Sequence, residues 1–183
     1  MYNQIKIQVR AVVHTKEGRV FKAYPWKNAN SLIKQFIQLL LVGMANANQT
    51  INNVTGAPSV VDPGYTLLNA TAALNITTKG ILIGSGTTPV TMTDYSLQTK
   101  LTTNVAHAAV VIALENPNAS TWRIALSRIF TNNTGGTLSV KEVALYVSSG
   151  SGAVICCAER TLYAVDVPDG YPITFQYRIT ITL

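Results

Sequence analysis

Apolar and polar positions alternate with period two at both ends of the chain. The pattern is cleanest in the last segment. There Ile173, Phe175, Tyr177, Ile179, Ile181 and Leu183 alternate with Thr174, Gln176, Arg178, Thr180 and Thr182, which predicts a strand over 172–183 with one buried face. "IKIQVRAVV" near the start repeats it, with Ile5, Ile7 and Val9 against Lys6, Gln8 and Arg10. Residues 4–13 and 19–24, joined by "HTKEG", therefore read as a β-hairpin. Further strands are predicted over 79–84, 103–114, 121–131, 137–147 and 153–165. "ENPNAS", "NNTGGT", "SSGSG" and "VPDGYP" serve as turns. The pair 121–131 and 137–147 reads as a hairpin around Thr134-Gly135-Gly136.

One segment carries the helical period. Ile33, Phe36, Ile37, Leu40 and Leu41 predict a helix over 31–43 that packs on a sheet. Pro25 punctuates the chain before it, Asn30 or Ser31 is the expected N-cap, and Gly43 the expected stop. This is also the longest apolar stretch. Lys34, Gln35 and Gln38 interrupt it, and it is too short to span a bilayer. The N-terminus reads as a strand, not as a leader. Residues 45–78, rich in Asn, Thr, Ala and Gly, have weak periodicity and read as a long loop, or as short strands with loops. Strands at this spacing predict a mainly β chain, an antiparallel β-sandwich with one N-terminal helix. It reads as a single domain over 1–183, with a basic hairpin plus helix in 1–44 and an Asn/Thr-rich loop region in 45–78.

Composition sharpens this. Of 183 residues 48% are apolar and only 12% charged, too apolar for a disordered chain. Such a poorly charged surface is expected to be covered in part by other copies or by a partner. Residues 1–34 hold seven basic groups against Glu17, while the rest of the chain holds seven basic and seven acidic groups. The basic pI is thus a property of the N-terminal segment. A solvated strand face accounts for it; a contact with nucleic acid or an acidic surface through residues 1–34 is the functional alternative.

Candidate chemistry fails at each test. "KGILIGSGTTPVTMTDYSLQTKL" (79–101) carries Gly84-Ser85-Gly86-Thr87-Thr88 after an apolar run. It lacks the Lys of a phosphate-binding loop and the third glycine of a dinucleotide fingerprint. It reads as a turn with positive-φ glycines. Cys156 and Cys157 are neighbours and, on a strand, point to opposite faces, so they do not bridge each other; no zinc-ligand spacing exists. His14 and His107 have no nucleophile brought to them by the sequence. Glu17, Asp62, Asp94, Glu115, Glu142, Glu159, Asp166 and Asp169 show no paired spacing. No catalytic, cofactor or metal residue is assigned, and the chain reads as non-enzymatic. Six N-x-[ST] sequons begin at Asn48, Asn53, Asn69, Asn75, Asn118 and Asn132; they are candidate glycosylation sites or simply Asn/Thr-rich loop chemistry.

"GILIGSGTTPVTMTDYSLQTKL", "WRIALSRIFTNNTGGTLSVKEVALYV" and "RTLYAVDVPDGYPITFQYRITITL" together resemble an arrangement recurrent in structural proteins of viruses of bacteria and archaea. Its features are I-G-x-G-T-T followed by D-Y-x-L, then T-N-x-T-G with V-x-E-V-[AG]-L-Y, and a terminal V-P-x-G strand. The resemblance covers residues 79–183. It implies a jelly-roll-like sandwich and a virion component, a capsid, vertex or turret, tail or fibre subunit that assembles with copies of itself or docks onto other virion proteins. It also implies that the Gly84–Thr88 segment is a turn and that the Asp94-Tyr95 turn places Leu97 in the core. Trp26, Phe36 and Leu40, in or beside the lone helix, are candidate assembly contacts. The alternative is a carbohydrate- or cell-surface-binding sandwich, with Trp26, Trp122 and some tyrosines stacking on sugar rings.

Overall fold

A computed structural model describes residues 4–29, 32–64, 66–150 and 154–182. In chain order they form β1 (Gln4–His14), β2 (Val20–Ala23), β3 (Lys27–Asn28), α1 (Lys34–Ala45), β4 (Gln49–Asn52), β5 (Pro58–Val61), β6 (Thr66–Asn69), β7 (Gly80–Gly84), β8 (Val105–His107), β9 (Val111–Asn118), β10 (Thr121–Asn132), β11 (Leu138–Gly150), β12 (Val154–Val167) and β13 (Pro172–Thr182).

Two antiparallel sheets pack face to face. The larger, sheet A, runs β2-β1-β13-β10-β8, with β3 also on β1 and β9 also on β10. Sheet B runs β12-β11-β6, with β7 also on β11. β4 and β5 form a separate two-stranded ribbon, so 45–78 resolves into short strands with loops. Sheet A holds seven strands and sheet B four, and the fold is a β-sandwich.

The alternation read from the sequence fixes which face is inward. Val9, Ala11 and Val13 of β1, Phe130 of β10, and Ile173, Phe175 and Tyr177 of β13 are buried against Val140, Tyr163, Val165 and Val167 of sheet B. Phe175 meets Tyr163 edge-on with ring centroids 5.6 Å apart. Sheet B is buried on its other face too. There Leu82, Ala144, Tyr146 and Cys157 pack with Ile33 and Leu97, and Val54 and Val90 pack against this second cluster. This double burial is why "GILIG" is apolar without alternation. Cys156 and Cys157 belong to opposite faces of β12, as neighbours on a strand must.

Four expectations need correction. The hairpin around Thr134-Gly135-Gly136 does not exist: β10 pairs β13 in sheet A and β11 pairs β12 in sheet B. The buried Asn132 turns the chain between the layers. Its Nδ2 donates to the Gly136 and Val167 carbonyls, and its Oδ1 accepts from the Thr134 N–H. The predicted strand 103–114 breaks into β8 and β9, where the Val110 N–H leaves the sheet to donate to the Ala72 carbonyl. The helix runs past Gly43 and ends at Asn46 in the left-handed conformation, a role Asn shares with Gly. Its start shows Ile33 at the N-cap position; Asn30 and Ser31 lie outside the described residues. Finally, the buried stripe is Gln35, Leu39 and Val42, while Ile37, Leu40 and Leu41 are exposed. Apolar residues surround most of this helix, so more than one stripe satisfies the helical period and tertiary packing selects between them.

Candidate assembly surface

Gly84-Ser85-Gly86-Thr87-Thr88 is a structural loop built around a carboxylate. Glu142 of β11 is buried, and its Oε1 accepts N–H bonds from Gly86 (3.0 Å), Gln98 (3.0 Å) and Thr99 (3.1 Å). Its Oε2 accepts from Arg160 Nε at 2.7 Å. Arg160 continues the network to Asp94 Oδ2 at 2.6 Å and to the Thr88 carbonyl at 3.0 Å. The charge pair is thereby satisfied on every side, the condition for burying it at all. A Cβ on Gly84 or Gly86 would stand 2.5 Å from Glu142 Oε1. The glycines are required by this approach, not by positive φ, which corrects the expectation for this turn. Asp94 closes the 91–94 turn by accepting from the Thr91 N–H and hydroxyl, and Leu97 is buried beyond it, its N–H donating to Tyr146 Oη at 2.6 Å.

Three further buried ionisable groups are structural. Arg128 of β10 has no carboxylate among its partners. It donates to the carbonyls of Ala108, Lys79, Ile81 and Ile76, bridging sheet A to the β7 side of the sandwich, and burial lowers its pKa to about 10. Glu159 lies between the sheets, accepting from the Thr161 hydroxyl and from Tyr177 Oη at 2.5 Å; burial pushes its pKa up to about 7. His107 is buried edge-on to Phe130, with neither ring nitrogen hydrogen-bonded; burial, then the nearby Arg128, takes its pKa down to about 4. No group of three or more His, Cys, Asp or Glu among the described residues could hold a metal ion.

The sequons divide by local geometry. In Asn53, Asn69 and Asn132 the side-chain Oδ1 accepts both the N–H and the hydroxyl of the Thr two residues on. Asn118 accepts the Ser120 N–H. These are Asx turns, and the spacing that makes a sequon is the spacing that closes the turn. Asn132 is fully buried with its amide engaged twice, so it is not presented for modification in the folded chain. Asn48, Asn75 and Asn118 are exposed, and Asn53 and Asn69 half-buried.

The least expected feature is where the sandwich stops. Sheet A is wider than the layer that covers it, seven strands against four, and one end of its inward face stays open among the described residues. The inward face runs in register across four strands: Ile5 opposite Ile181, Ile181 opposite Trp122, Ile179 opposite Ile124, Ile124 opposite Leu114, and Leu126 opposite Ile112. Toward the sandwich these rows are buried. Toward the free end they are open, and Ile5 is 74% and Leu114 69% exposed. Between the overhang and the helix side lies an apolar cleft of about 270 Å³, lined by Ile112, Ile124 and Ile179 on one wall and by Phe36, Leu68 and Val147 among others opposite. Phe36 is thus at the cleft, and Leu40, one turn on, is partly exposed. The sequence showed the apolar face but not how far a second layer extends over it.

The opposite face of sheet A is basic. Trp26 lies over two guanidinium groups, Arg178 at 4.3 Å and Arg10 at 4.6 Å from a ring centroid. Arg10 also donates to Gln176 Oε1 at 2.6 Å, and Arg123 pairs with Glu115 at 3.3 Å. The fold therefore adds Arg123 and Arg178 to Lys6 and Arg10. Lys16 and Arg19 sit between β1 and β2, away from this cluster in the sequence of the strand. Among the described residues no helix is long and apolar enough to cross a membrane. No family model, curated protein or solved structure matches this chain.

Proposed function

We propose that this chain is a non-enzymatic structural subunit that assembles through its own surface, and that the assembly is a virus particle. The observation that carries assembly is the overhang of sheet A, four strands wide, apolar on its inward face and left uncovered by the described residues. A large open apolar patch on a sparsely charged protein is what an interface looks like before its partner arrives. The virion reading rests on the resemblance of residues 79–183. The buried ion-pair network supports an architectural role for the most motif-like segment, since Glu142, Arg160 and Asp94 are occupied in holding loops together. Trp26 is engaged over two arginines, which sets the sugar-binding alternative second. Light scattering of the purified protein over a concentration series tests the assembly reading. A discrete oligomer is expected, and a monomer at every concentration would count against it. Mass spectrometry of purified particles tests the virion part.

A further inference from the structure

We infer that the overhanging inner face of sheet A is covered by the same face of a second copy of this chain, packed sheet on sheet about a two-fold axis. The inference rests on the assembly reading above and names its partner and its surface. Three observations select a second copy. First, the exposed patch is formed by Ile5, Ile112, Leu114, Trp122, Ile124 and Ile181, between 41% and 74% exposed, with no charged side chain in the rows. A face without charge is complementary to itself, and a two-fold contact asks for that property. Second, the patch is the direct continuation, strand by strand and in register, of the face that sheet B covers, so a second sheet is the shape that fits it. Third, these six residues present roughly 650 Å² of surface, most of the ~800 Å² per partner in a standard interface, the polar rim supplying the rest. The apolar cleft of about 270 Å³ opens beside the patch, next to Ile112 and Ile124, and gives the partner's side chains a recess to enter.

The test uses the full chain in sedimentation velocity, with Ile124→Asp and, at a more exposed position, Leu114→Asp. Leu41→Glu, on the exposed side of α1 and outside the patch, is the control. Trp26→Phe leaves Trp122 as the sole tryptophan, so its emission reports the interface directly. The expected result is a dimer, or a multiple built from dimers. Its association should weaken about 30-fold or more in both Asp variants and stay unchanged in Leu41→Glu. The Trp122 emission should shift to the blue as concentration rises. Circular dichroism and melting temperature establish that the Asp variants are folded. If folded Asp variants assemble as the wild type does, with Trp122 emission independent of concentration, this surface is wrong and the assembly reading stands. If the wild type is monomeric throughout, both fall.

Discussion

A Cβ built on Gly84 would lie 2.5 Å from Glu142 Oε1 and 2.7 Å from the Thr99 carbonyl oxygen; one on Gly86 would lie 2.6 Å from Gln98 Cβ and 2.5 Å from the same carboxylate. Two of these neighbours are backbone or a Cβ, so they do not swing aside as a flexible tip would. Gly84→Ala and Gly86→Ala are each expected to destabilise the fold by about 2–3 kcal/mol, within the range for overpacking. Replacing the carboxylate itself should cost more. Glu142→Ala leaves Arg160 buried with only Asp94 for counter-charge and frees three backbone N–H groups, a loss of about 3–5 kcal/mol for breaking one side of a buried pair. Chemical denaturation of the three variants checks the order. A Glu142→Ala protein as stable as the wild type would refute this account of the loop. The sequence displayed the glycines but hid their reason, because Glu142 is 56 residues away from Gly86 along the chain.

At the scale of elements, the strands were legible and their partners were less so. With turn residues bounding β10, β11 and β12, period two located β1 and β13, each of which has one face on a core. It carried no information on which sheet a strand joins, and the Gly135-Gly136 turn looked like a hairpin although it connects layers. The helix shows the same limit: its position was readable, while its buried face was not, because apolar residues lie nearly all round it. The sequons mislead in the other direction, since a Thr two residues after an Asn serves an Asx turn as well as a glycosylation signal. Asn132→Ala removes donors to the Gly136 and Val167 carbonyls and the acceptor for Thr134, and is expected to cost about 2–4 kcal/mol. Asn118→Ala, at the exposed β9–β10 turn, should cost under about 1 kcal/mol. Thermal melts of the two variants compare them, and equal losses would contradict the distinction between a layer-crossing turn and an ordinary one.

For the whole molecule, the length of the uncovered sheet was beyond the sequence, because a strand's apolar face is written identically whether its cover is its own second layer or another chain. The interior between the layers adds a property that no single element owns, a balance of two titrations. Glu159 faces Thr161 and Tyr177, with Arg160 and Cys157 near, and holds its proton up to about pH 7 instead of 4.5. The folded state then binds more protons than the unfolded one. This contribution is complete below pH 4.5 and is lost as pH rises toward about 7. His107, with Arg128 and Lys100 near, behaves oppositely, staying neutral down to about pH 4 instead of 6.5. Its contribution is complete above pH 6.5 and is lost as pH falls toward about 4. Between pH 4.5 and 6.5 the two slopes oppose each other, each at most about 1.4 kcal/mol per pH unit. Asp94 and Glu17, whose pKa values are held below 3.8 and 4.5, act beneath this window. Wild-type stability is therefore expected to be nearly level from pH 4.5 to 6.5. Glu159→Gln, which keeps hydrogen-bonding capacity without the titration, should lose stability as pH falls through the window. His107→Phe, which keeps the ring against Phe130, should gain it. Denaturant midpoints of the three proteins at several pH values decide the matter, and three parallel curves would show that these two groups do not set the pH response of the sandwich.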